Sequence, residues 1–202
     1  CMLHALAGRA DEAVAAGDAA QALFAAGRGM VMVPFSVFFS AMSAPRSGRA
    51  DAAQRCKAAL HRLELWAHTC PDVQPLAHLL RARMGAGGIR PPGPPIDVAM
   101  EIDAAQRSAQ ALDNLFLQAL VHWAVTEPAM LAYLPQAAAR AEQAQARALF
   151  LRWGAPALAA LIEDTAPATA GPAQRSASVA LPRGAVSVAP GGALDLSTLM
   201  KA

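Results

Sequence analysis

Apolar residues recur at helical spacing along most of this chain, and runs of Val, Ile, Thr and Tyr are nearly absent. A chain patterned this way buries its apolar surface as amphipathic helices and lacks the material for a sheet. Hydrophobic residues make up 55% of the 202, yet many are alanines, and aromatic residues contribute only 5%. Alanine favours helix strongly and adds little buried area, so a few Leu, Phe, Trp and Met side chains must form the core. The expected fold class is all-α: an irregular helical domain with a disordered C-terminal tail.

The first helix is expected near Asp11, with Asp11 as cap and Glu12 at the positive end of the helix dipole. Its apolar pattern is Val14, Ala15, Ala19, Ala22 and Leu23, and Gly27 and Gly29 stop it. Pro34 suits the first turn of the next helix, in which Phe35, Phe38, Phe39 and Met42 share one face. Core packing, against the Leu60, Leu63 and Trp66 stripe, is the expected use of that face. A turn at Ala44-Pro45 and Ser47-Gly48 leads to a long helix from Asp51, with Cys56, Ala59, Leu60, Leu63, Trp66, Ala67 and Cys70 inward. Pro71 ends it. Asp72 is a candidate cap for a shorter helix that buries Leu76, Leu79, Leu80 and Met84 and closes at Gly85.

Glycine and proline dominate 85–95, which reads as a linker and, less directly, as a polyproline ligand. One helix is expected from about Asp97 to Ala124, with Leu112, Leu115, Phe116, Ala119, Leu120 and Trp123 inward. Thr126 marks a stop, Pro135 a joint, and Ala137 to Ala148 a solvated helix. Leu158, Leu161 and Ile162 close the ordered part. From about Asp164 the apolar period is lost among Pro, Ala, Gly, Ser and Thr, so 165–202 is expected to be disordered. Leu194, Leu196, Leu199 and Met200 there could form a short docking helix. The division is thus 1–84, linker 85–95, second helical segment 96–164, and tail 165–202, with no internal repeat.

Formal net charge is +2, too small for a nucleic-acid surface. The basic residues are Arg except Lys57 and Lys201, as a GC-rich genome would produce. Cys1, Cys56 and Cys70 are too sparse for a disulfide framework or a zinc site, and an intracellular, reducing compartment fits. With Cys1 directly before Met2, the chain is expected to be a piece of a longer protein. The most apolar stretch, Met30 to Met42, is about 13 residues long, where a membrane span needs roughly 20, so no membrane partner is expected. His4, His61, His68, His78 and His122 lack metal-ligand spacing; His61 could pair with Glu64 one turn on. Asp11/Glu12, Glu101/Asp103 and Glu163/Asp164 sit near helix ends, where the dipole accounts for them. Gly85-Ala86-Gly87-Gly88 follows no strand, which excludes a dinucleotide loop, and protease, hydrolase and phosphate-loop motifs are absent. Neither catalytic, cofactor-binding nor metal residues are expected, and the chain reads as a non-enzyme.

The first half resembles the C-terminal portion of the regulatory, or middle homology, region of fungal zinc-cluster transcription factors. The residues that carry the likeness are Ala19-Ala20 with Leu23, then Pro34-Phe35-Ser36-Val37-Phe38-Phe39-Ser40-Ala41. Leu60, Leu63-Glu64 and Trp66 follow, then Cys70-Pro71-Asp72-Val73, then Leu76 with Leu79-Leu80. The resemblance covers roughly 1–84 and implies an all-helical regulatory domain in the nucleus without catalytic residues. Zinc would belong only to a DNA-reading element upstream of Cys1, through which alone DNA would be bound. Protein partners are expected, a homodimer is admissible, and the alternative is a helical protein-interaction module unrelated to transcription.

Overall fold

The computed structural model describes residues 1–24, 32–91 and 93–164. Among them the chain is all-α, as its apolar period requires. The tail expected at 165–202, with its Leu194 to Met200 segment, lies outside the described residues, as do Gly27 and Gly29. Ten helices follow in order: α1 Met2–Leu6, α2 Ala10–Gln21, α3 Met32–Ser43, α4 Ala52–Ala67, α5 Gln74–Ala86, α6 Val98–Ala111, α7 Leu115–Ala124, α8 Pro128–Leu131, α9 Gln136–Arg152 and α10 Pro156–Asp164. Short 3-10 turns at Ala44–Arg46 and Pro71–Val73 carry the two prolines that separate α3, α4 and α5.

The centre is α3. Phe38 and Phe39 are fully buried, and Met42 nearly so. Phe38 meets Phe39 edge-on at 5.3 Å between ring centres. The cover comes only partly from the expected stripe. Leu60 and Leu63 of α4 belong to the same core, while Trp66 is half-buried at its margin. The other cover is from the second half of the chain: Trp123 of α7 lies 6.1 Å from Phe39, and Phe116 lies 5.3 Å from Phe35. The segments 1–84 and 96–164 therefore share one continuous core.

Several expectations differ from the structure. In α2 the buried positions are Ala13, Val14 and Gly17, whereas Ala15 and Ala19 are exposed and Leu23 is 69% exposed. Gly17 decides this face: a Cβ there would stand 2.5 Å from the Cβ of Ser40, so only glycine lets α2 lie against α3. The helix from Asp97 to Ala124 is two. Asp113 breaks it with φ of 49°, a conformation that Asp tolerates better than most residues, and the Asn114 side chain caps α7 by accepting from the Leu117 amide. Asp97 likewise caps α6 through the Met100 amide. Asp11 lies inside the first turn of α2, whose cap position is Arg9; Asp51 and Asp72 make no capping bond, and α5 runs past Gly85 to Ala86. An additional helix, α1, has too few residues to show a period.

One ion pair lies within this core. Arg83 of α5 donates from Nε to Glu127 Oε2 at 2.6 Å, and both side chains are about as buried as the leucines around them, at 6% and 5% exposure. Arg46 reaches the other oxygen of Glu127 at 3.3 Å and donates also to the Gly8 carbonyl. Three separate stretches of chain thus meet at one carboxylate, and Arg46 ties in a fourth at Gly8.

Two changes test this packing. Phe38→Ala should cost roughly 3–5 kcal/mol, the usual range for a buried phenylalanine; urea unfolding reads it, and a loss below about 1 kcal/mol would place the ring outside the core. Glu127→Leu strands Arg83 in an apolar interior and should cost about 3–5 kcal/mol, whereas the double change Arg83→Met with Glu127→Leu should recover most of that. Equal losses in the single and double variants would mean that the pair is not what matters at this position.

Candidate functional site

The inward stripe of α4 leaves Gln54, Lys57 and His61 on an outer flank, at spacings of three and four, with Glu64 three residues further. Beyond α5 the chain turns at Gly88, where φ is 69°, and its Pro91, Pro94, Pro95 and Ile96 come to line the same space as that flank. Gly85 makes this return feasible: a Cβ there would stand 2.8 Å from Ile96 Cγ2 and 3.0 Å from Val98 Cγ2. The groove so formed has a volume of about 770 Å³. Gly93 has φ of 120°, which no polyproline helix contains, so the segment serves as a wall and not as a continuous polyproline ligand.

Arg81 organises the groove's polar side. It donates to Glu101 of α6 at 3.1 Å and to Glu64 of α4. Burial alone would lower the Arg81 pKa, but the bonds to Glu64 and Glu101 outweigh it and hold the guanidinium above its ordinary value. The second oxygen of Glu101 is 2.7 Å from His78 Nδ1. Glu64 therefore pairs with Arg81 across helices and not with His61 along its own. Glu101 sits in the first turn of α6 as expected, but its partners are side chains of α5. Asp103 pairs with Arg107 on the exposed face of α6. The groove's formal charges cancel: Lys57 and Arg81 against Glu64 and Glu101.

A smaller pocket of about 190 Å³ opens beside the buried ion pair. Leu6, Trp123, Pro128 and Leu131 supply apolar walls, and Arg46, Glu127 and Thr126 the polar ones. A third cavity, of about 360 Å³, is lined by Asp18, Asp51 and Arg55. There Arg55 clamps Asp18 at 2.5 Å and Asp51 at 2.7 Å. Bonds from Arg49 and then Arg55 hold the Asp51 carboxyl down at about 2. His122 and Glu142 form one more interhelical pair at 2.5 Å, with Gln106 donating to the same carboxylate. Arg55 and Asp51 are one helical turn apart, but the Arg55–Asp18, His122–Glu142 and Gln106–Glu142 contacts join residues distant in sequence, so no local spacing announces them. Glu142 falls within the stretch expected to be wholly solvated, and Ala146 of the same stretch is fully buried.

Apolar surface is also exposed near α3. Met32, 51% exposed, and half-buried Phe35 lie one turn apart. Phe116 touches Phe35 and stacks at 4.7 Å on Trp153, itself 47% exposed. The three cysteines are free. Burial pushes the Cys56 thiol up to about 11 despite the nearby Arg83, and its Sγ donates to the Ala41 carbonyl at 3.4 Å. Among the described residues there is no group of His, Cys, Asp or Glu able to hold a metal ion, and no helix long and apolar enough to cross a membrane. No protein-family model, curated protein or solved structure matches the chain.

The thiols give a direct measurement. At neutral pH a thiol reagent should modify half-buried Cys70 while Cys56 stays protonated and shielded, because the thiolate is the reactive form. Cys56 should label only after urea is added. Native-state labelling of Cys56 at the rate of Cys70, read by peptide mass spectrometry, would mean that α4 opens freely from α3.

Proposed function

We propose that this chain is the regulatory helical domain of a nuclear DNA-binding transcription factor of the zinc-cluster kind, without the DNA-binding element itself. Its role would be to restrain or expose activation through contacts with protein partners, and zinc would be held only by an element upstream of Cys1. The observation that supports this best is the nesting of α2 to α5. In α3, α4 and α5 most of the residues that carry the resemblance are buried between the helices, whereas Ala19, Ala20 and Leu23 are not. Pro34 stands in the first turn of α3, whose Phe38 and Phe39 occupy the centre. Leu60 and Leu63 are the buried positions of α4. Cys70-Pro71-Asp72-Val73 forms the turn before α5, and Leu76, Leu79 and Leu80 are its buried positions. The second reading, a protein-interaction module unrelated to transcription, is favoured by the surface that exposed Met32 and Trp153 form with half-buried Phe35 and Phe116.

A reporter assay separates the two. Residues 1–202 fused between a heterologous DNA-binding domain and an activation segment should change reporter output several-fold, and Phe38→Ala should abolish that effect. The chain alone should show no sequence-selective DNA binding by anisotropy at physiological salt, since it offers no basic stripe to displace counterions. A fusion without effect on output, with the fold intact, would reject the regulatory reading. Nanomolar, sequence-selective binding by the chain alone would reject the assignment of DNA reading to another element.

A further inference from the structure

The cavities differ in how deeply their charges are buried. The large groove beside the α5–α6 connection is balanced, and so is the cavity at Arg55, where Arg55 and Arg62 face Asp18 and Asp51. The lining of the small pocket holds one charge of each sign, Arg46 and Glu127, but a second guanidinium, Arg83, buried and outside the lining, shares that carboxylate. Glu127 is its only acidic wall, and that one carboxylate serves two guanidiniums: Arg83 on Oε2 and Arg46 on Oε1. The three groups sum to one positive charge in a setting where Glu127 and Arg83 are both buried. Low dielectric makes an uncompensated charge expensive and its compensation correspondingly favourable.

Arg46 is the part of this trio open to a ligand, with its side chain 36% exposed. A guanidinium has five N–H donors in a planar fork. The structure uses one on Glu127 and one on the Gly8 carbonyl, which leaves donors in the plane for a further acceptor. The remaining walls are apolar: Ala5 and Leu6 of α1, Trp123 of α7, and Pro128 and Leu131 of α8. Thr126 adds no free donor, because its hydroxyl is given to the Trp123 carbonyl at 2.7 Å. The volume of about 190 Å³ is somewhat larger than an apolar cavity of about 150 Å³ that takes benzene. It suits one ring with one small charged substituent and excludes a nucleotide.

We propose that this pocket, formed by α1, the Arg46 turn and the α7–α8 corner, binds a small monocarboxylate with a compact apolar body. The carboxylate pairs with Arg46 and the body rests against Trp123 and Leu131. Binding requires no rearrangement of the Arg83–Glu127 bond, and it stabilises the junction of α1 with α7 and α8.

Benzoate is the probe, and benzamide, of the same shape without the charge, is its control. Titration into the full chain, followed by amide and indole NMR shifts, should give saturable shifts at Ala5, Gly8, Thr126 and the Trp123 indole. Benzamide should bind at least about ten-fold more weakly, the scale of a charge-assisted hydrogen bond. Arg46→Gln should lose benzoate affinity by a similar factor and leave benzamide unchanged, with the fold checked by circular dichroism. If Arg46→Gln does not fold, the comparison of acid with amide on the unaltered chain still decides. Shifts absent or centred on another cavity, equal affinity for the acid and the amide, or undiminished benzoate binding by folded Arg46→Gln would each overturn the proposal.

Discussion

The bond between Arg83 and Glu127 is the contact on which the arrangement of the helices turns. It joins α5, from the first half of the chain, to the corner between α7 and α8, from the second, inside a core that is mostly apolar. Hydrophobic contact sets no fixed register, since one leucine replaces another at small cost. A buried charge pair does, because every displaced arrangement leaves a desolvated charge without a partner. Arg46 extends the constraint to the turn after α3 and, through the Gly8 carbonyl, to the turn between α1 and α2. The pair's role here is orientation more than net stability, since well-packed apolar residues in its place can be equally stable.

Around that anchor, close approach does what large side chains do in richer cores. The chain has few aromatics, and it lets helices come together where glycine or alanine leaves room. Gly17 lets α2 lie against Ser40 of α3, and Gly85 lets the α5–α6 connection lie against α5. Fully buried Ala13, Ala82, Ala105, Ala119, Ala124 and Ala146 serve similarly on five helices. Short interaxial distances bring many atoms into dispersion contact, each weak and collectively large.

Much of the fold was legible in the sequence. The 3.6-residue period placed α3, α4, α5 and the stripes of α4 and α5, because there large residues mark the buried face. The turns at Pro45 and Pro71 were legible because proline cannot continue a helix. Legibility failed where the buried face is made of small residues, as in α2, where Leu23 suggested a face that the structure leaves in solvent. It failed again at Asp113-Asn114, whose turn chemistry was outweighed by the apolar pattern on both sides. The cavities were legible least. Their polar residues, Arg46, Arg81, Glu101 and Glu127, come from separate elements, and only the folded chain shows which charges meet and which are left over.

The connection that closes the large groove has a consequence for how such a domain can change. One wall of that groove is a helix and the other is a loop that contributes Pro91, Pro94, Pro95 and Ile96. The helical wall is bound into the core and resists substitution. The loop wall is held chiefly where Ile96 meets Gly85, so residues gained or lost between Gly88 and Pro95 would widen or narrow the cleft while every helix kept its register. Insertions and deletions, usually the most disruptive of mutations, are at this one place a means of resizing a cavity.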